Sequence, residues 1–206
     1  MYDYWKEFCI SFWQVCQTEL GNISYINLLV YSLIVAVIVH ISCYLFVMIR
    51  KQSIYFSTEL MIFLLISYLG FIAEVALLNR AYGSQARVFD TKILWIDKSM
   101  IQNITNLLNI IMFIPFGALI TSFLMNKKSL RRTFLVISYT FLTSFFIECA
   151  QFVTQTGYFE LDDIEANVIG GLIGSIFFLL CYKIYRLVSG RNKEVKHEES
   201  NKAGYV

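Results

Sequence analysis

Polar residues interrupt this chain at a few places and leave long apolar stretches between them. Five runs have spanning length: 26–49, 58–78, 107–125, 133–153 and 168–185. An α-helix rises about 1.5 Å per residue, so about 20 such residues cross a hydrocarbon core of roughly 30 Å. The pattern predicts an all-α fold, a polytopic membrane helix bundle of about five transmembrane helices. Ahead of the first run, Trp5, Phe8, Phe12 and Val15 recur at helical spacing, with Asp3, Lys6, Glu7, Gln14 and Gln17 mostly around the rest of the turn. This predicts an N-terminal amphipathic helix that either lies on the membrane surface or packs on the bundle. Residues 1–25 therefore form an interfacial segment, 26–186 a transmembrane domain and 187–206 a charged, solvated and mobile cytoplasmic tail. The start of the chain is aromatic and acidic, unlike a signal peptide, so the first run counts as a span.

Composition agrees. Of 206 residues, 57% are apolar and 16% charged, with ten Gly and one Pro, whereas soluble domains average about 25% charged. No room remains for an appended soluble enzyme. The formal charge of +2 is spread through short connectors, which gives no reason to expect nucleic acid. Instead, the bases set topology. Arg50, Lys51, Lys127, Lys128, Arg131, Arg132 and six bases from Lys183 onward make twelve on one side, against Lys6, Arg80, Arg87, Lys92 and Lys98 on the other. Twelve against five predicts N-out, C-in. Cys9 and Cys16 are too far apart on a helix to bridge, and Cys43, Cys149 and Cys181 fall in apolar runs, so no disulfide is assigned.

Oriented this way, the polar residues inside the spans converge at one depth. Span two ends outward with Glu74, then Asn79 and Arg80; span three begins with Gln102, Asn106 and Asn109. Span four carries Thr140, Ser144, Glu148, Gln151 and Gln155 at steps of 4, 4, 3 and 4, which is one helix face. Ser67, Gly70 and Glu74 align similarly on span two, and Asp163, Asn167, Gly170 and Gly174 on span five. An ionisable side chain in hydrocarbon costs roughly 2.5–3.5 kcal/mol on insertion scales, so such stripes turn toward protein or a water-filled cavity. Four of them facing inward predict an outward-open polar cup with an apolar floor.

Glu74, Glu148, Asp162 and Asp163 in one cup repel one another, so a cation belongs there. Arg80 or Arg87 is one source, able to bind a carboxylate or phosphate bidentately. A divalent cation held by Asp162, Asp163 and Glu148 with Asn or Gln carbonyls is the other. No cofactor is otherwise assigned. Plainer roles stand beside these. Asp162 or Asp163 caps a helix; Glu148 and Gln151 bond neighbouring helices, and Gly170 and Gly174 pack against one. Pro115 removes a backbone donor and kinks span three. His40 makes a hydrogen bond inside the bundle.

The second half of the chain resembles the VanZ-like family of bacterial membrane proteins. The resemblance lies in NLLNIIMFIPFG at 106–117, the basic connector at 127–132, SFFIECAQ at 144–151 and ELDDIEANVIGGLIG at 160–174. It places Asn109, Pro115, Gly117, Glu148, Gln151, Asp162, Asp163, Asn167, Gly170 and Gly171 in the family's signature. Many members carry an Arg just before the acidic pair, where this chain reads GYFE. The family's founding member is linked to low-level teicoplanin resistance, so the resemblance implies a Gram-positive cell envelope and a glycopeptide phenotype, and no particular reaction.

Three functions are open at this point. In the first, the cup binds a lipid head group, a cell-wall precursor or part of a glycopeptide, without turnover. In the second, the carboxylates serve a membrane enzyme, metal-dependent or acid–base, acting on a phosphorylated or lipid-linked envelope substrate; no HExxH, GxSxG or Cys/His cluster supports it. In the third, the protein is an assembly partner and the glycine seam of Gly170 and Gly174 is its contact surface.

Overall fold

The computed structural model describes residues 2–20, 25–50, 56–78, 80, 83, 85–91 and 99–203. Lys51, Asn79, Lys92 and Lys98 lie outside these residues, as do 21–24 and 204–206. Six helices follow in order: α1 (Tyr2–Leu20), α2 (Tyr25–Arg50), α3 (Phe56–Ala73), α4 (Met100–Phe123), α5 (Ser129–Thr154) and α6 (Leu161–Ala203). Five of them are long and apolar enough to cross a membrane, over Leu28–Val47, Thr58–Leu78, Met100–Phe123, Ser129–Thr154 and Leu161–Ser189. The helical class and number of spans match the hydropathy pattern. All five cysteines are free.

The helix ends differ from the apolar runs for physical reasons. α4 starts at Met100 and α6 at Leu161, each about two turns before its apolar run, because Asn106, Asp162 and Asn167 are buried rather than left at the ends. Ser99 begins α4 with a capping box, accepting from the Gln102 backbone N–H while the Gln102 side chain accepts from that of Ser99. Asp162 and Asp163 stand in the first turn of α6, where carboxylates suit the helix dipole. At the other end α6 continues to Ala203, past the polar boundary at 187; the composition change marks the end of the span, not of the helix.

The centre of the bundle is the crossing of α4 and α6. A β-carbon on Gly117 would collide with the Gly171 carbonyl, one on Gly170 with the Ile110 carbonyl, and one on Gly174 with the Ile114 carbonyl. These glycines let two backbones touch, as small residues do between membrane helices. The seam is thus filled by α4 of the same chain, which removes it as a free surface for a separate partner. Phe113, Phe116, Ile120, Val136 and Ile147 of α4 and α5 pack with Ile72 of α3 beside it. Pro115 lies within α4, which runs on to Phe123.

The first half is looser. α2 and α3 share a small core of Val35, Val39 and Cys43 against Ile62, Phe63 and Ile66. His40 Nδ1 is 2.6 Å from Glu59 Oε1 of α3, with the imidazole on the outer surface rather than inside the bundle. α1 lies against α4, with Phe8, Phe12 and Val15 half-buried.

Candidate ligand-binding cavity

The end of α3, the start of α4, the end of α5 and the start of α6 meet at one end of the bundle, and the polar face of α5 organises them. Thr140, Ser144, Glu148 and Gln151 are all buried. Each of the last three reaches a different neighbour. The Ser144 hydroxyl accepts from Asn167 Nδ2 of α6 at 2.7 Å, and Glu148 Oε2 accepts from the Glu160 backbone N–H at 2.9 Å. Gln151 Nε2 donates to the Ala76 carbonyl at 2.9 Å. Ala76 belongs to a π-helical turn, Glu74–Leu78, that closes α3; Gln151 thereby satisfies one of the carbonyls a helix end leaves open.

α4 and α6 add a second tier. Asn106 Nδ2 donates to Asp162 Oδ2 at 3.0 Å, both residues buried, and Asn109 hydrogen-bonds Asp163 one turn away. Arg80 completes the group. Its Nη1 lies beside Gly157 and Gln151, where a β-carbon on Gly157 would meet it at 3.2 Å, and its charge acts on both Glu148 and Asp163. The GYFE connector thus receives from Arg80 the cation that it lacks itself.

The segment after Arg80 is fastened over this end. Gly83 N–H donates to the Thr154 carbonyl at 3.1 Å and Gln85 N–H to that of Gln155 at 3.0 Å. Two short strands, β1 (Phe89–Asp90) and β2 (Phe159–Glu160), then pair in parallel. Phe89 stacks on Phe159 at a centroid distance of 4.4 Å and meets Phe152 edge-on at 5.1 Å.

A cavity of about 270 Å³ opens beside this network. At its polar end stand Arg80, Asn109, Glu148, Gln151, Asp163 and Asn167; its walls are apolar, from Tyr68, Phe71 and Val75 on the α3 side and Leu108, Ile111, Met112 and Pro115 on α4. Tyr68 also donates its hydroxyl to the Met112 carbonyl. Asn167 Oδ1 has no hydrogen-bond partner among the described residues.

Eight of the ten expected ligand-site residues therefore gather here, six on the cavity surface and two, Asn106 and Asp162, buried behind it. Glu74 and Arg87 do not line the cavity; Glu74 is half-buried and Arg87 exposed. The face of α3 expected to carry Glu74 inward is occupied differently: at Gly70 it meets the Tyr31 ring of α2, so Tyr68, Phe71 and Val75 face the cavity instead. Glu160 and the aromatic wall were not anticipated. Glu160 acts through its backbone N–H, which side-chain periodicity does not reveal.

For a cation, the structure groups Glu160, Asp162 and Asp163, whose ligand oxygens lie within 4.8 Å of one another. Glu148 stands outside that trio. Oxygen donors of this kind fit Mg²⁺ or Ca²⁺. Asn106 on Asp162, Asn109 on Asp163 and the nearby Arg80 already offset part of the acidic charge.

The VanZ/LLP1 family model matches residues 8–182. The chain belongs to the VanZ/LLP1 family. The match reaches past the second half, where the motifs lie, to include α2, α3 and most of α1. No curated protein and no solved structure matches the chain. Family membership and five helices of spanning length make this a membrane protein.

Proposed function

We propose that this family member is a multi-pass protein of a Gram-positive cell membrane, oriented N-out and C-in, that lowers glycopeptide action of the teicoplanin type. It does so by binding, without turnover, the polar part of an envelope amphiphile in the cavity at the outer end of the bundle. One observation carries the reading: Arg80, Asn109, Glu148, Gln151, Asp163 and Asn167, from four segments of chain, converge on one cavity whose remaining walls, Thr105 aside, are apolar or aromatic. A site with a few convergent polar groups on apolar walls is the usual form of a small-molecule site. At about 270 Å³ it falls just below the roughly 300–1,000 Å³ of most such pockets. That size favours a head group and part of one chain, from a lipid or lipid-linked precursor, over the ring system of a glycopeptide. The twelve-to-five distribution of bases supports the orientation.

The test is drug susceptibility with Glu148→Gln and Asp163→Asn proteins present in the membrane at wild-type level. Both are expected to lose the protection against teicoplanin that the wild type gives. Full protection by both variants would place the working site elsewhere.

The Glu160, Asp162 and Asp163 trio favours a second reading, a metal-dependent envelope enzyme, in which the cation would polarise a phosphoryl oxygen. Metal analysis of the purified protein decides it. Stoichiometric Mg²⁺ or Ca²⁺ that disappears in Asp162→Asn supports this reading; its absence from the wild type refutes the metal-dependent form.

A further inference from the structure

The cavity has unlike ends along α4. Asn109 marks the polar end and Pro115 the apolar end, about 9 Å apart at the rise of an α-helix. Between them Ile111 lines the cavity and is 47% exposed, with Phe71 and Tyr68 of α3 on the same cavity. The opening therefore lies on the flank of the bundle, between α3 and α4 and within their spanning lengths. A lipid chain enters there without leaving hydrocarbon.

The polar end defines the head group. Its ionisable lining is Glu148, Asp163 and Arg80. Asn167, 3% exposed, lines the same cavity with its Oδ1 lacking a hydrogen-bond partner among the described residues. Two carboxyl groups and an open amide oxygen suit a cationic N–H donor, and the Arg80 guanidinium, with five N–H donors, can hold a phosphate besides the contacts it already makes. We infer that the cavity takes an amine-bearing phospholipid from the membrane, its ammonium facing Glu148, Asp163 and Asn167 and its phosphate facing Arg80. The inference rests on the proposed reading of the cavity as a head-group site and adds the chemistry of the head and the lateral route in.

The test is native mass spectrometry of the full chain taken from nanodiscs holding equal amounts of phosphatidylethanolamine, phosphatidylcholine and phosphatidylglycerol. Phosphatidylcholine keeps the phosphate and positive charge but has no N–H; phosphatidylglycerol has no cation. Phosphatidylethanolamine is expected to be retained about tenfold over either, the worth of one charge-assisted hydrogen bond, and Asp163→Asn is expected to narrow that preference. Ile111→Trp, at a half-exposed position that tolerates bulk, is expected to lose all three lipids while keeping the wild-type unfolding temperature. Equal retention of the three lipids by the wild type, combined with their loss in Ile111→Trp, overturns the amine assignment and leaves the cavity as the site. Wild-type retention in Ile111→Trp overturns the cavity itself.

Discussion

The two halves of the bundle hold together by different means. In α4, 44% of the spanning window is buried, against 11% in α3. Apolar side chains gain little by leaving lipid for one another, so membrane helices associate through close backbone approach and interhelical hydrogen bonds. α4, α5 and α6 have both: glycines at the α4–α6 crossing and the pairs Asn106–Asp162 and Ser144–Asn167. α2 and α3 have a small apolar core, one bond from the Tyr31 hydroxyl to the Ile66 carbonyl and the His40–Glu59 contact on their outer surface. Of the residues that fasten the second half, Asn167 also lines the cavity, and Asn106 and Asp162 lie buried behind it.

Substitutions can break this contrast, beginning with the largest. Gly174→Leu drives a side chain into the Ile114 carbonyl, which cannot move without parting α4 from α6. A loss of about 3 kcal/mol or more is expected, read as failure to obtain folded protein or a large fall in unfolding temperature in detergent. Gly70→Leu meets instead the ring of Tyr31, which is 38% exposed and can swing away at the cost of its long hydroxyl bond to the Ile66 carbonyl. Its unfolding temperature should stay much nearer wild type; equal damage from both would erase the distinction between the halves.

Next is Asn106→Leu, which takes a buried donor from Asp162. Removing a hydrogen bond to a charged group costs about 1.5–3 kcal/mol, so denaturant unfolding should register a clear loss. The smallest effect belongs to His40→Leu. Its partner Glu59 is shared across the loose pair of helices, and the side chain of His40 is 73% exposed. About 0.6 kcal/mol or less is expected, as for an average interhelical hydrogen bond. A cost matching that of Asn106→Leu would show that α2 and α3 are held by this pair as firmly as the second half is by its network.

What could be read from the sequence tracks these differences. On α5, a regular helix, the steps joining Thr140, Ser144, Glu148 and Gln151 translate directly into one buried face. On α6 the step from Asp163 to Asn167 placed Asn167 on an inward stripe, and it is buried. On α3 the same logic placed Glu74 inward and missed the cavity, because shared spacing tells which residues lie on one face and not which neighbour that face meets. There the Tyr31 contact at Gly70 and the π-helical turn that starts at Glu74 decided the matter. Arg80 and Arg87 looked equivalent. What separated them was the pairing of β1 with β2 and the bonds from Gly83 and Gln85, in a connector without periodicity to read. Tyr68 and Phe71 looked like ordinary span residues, since an aromatic wall of a cavity and an aromatic residue facing lipid have the same pattern.

The central claim is that the cavity between α3 and α4 is a binding site for a membrane amphiphile. A density map of the full chain, purified in nanodiscs formed directly from its native membrane, tests this most directly. Elongated density is expected to enter between Phe71 and Ile111 and to end within hydrogen-bond distance of Arg80, Glu148 or Asp163. A cavity holding water alone, with ordered lipid confined to the outer faces of the bundle, would contradict it.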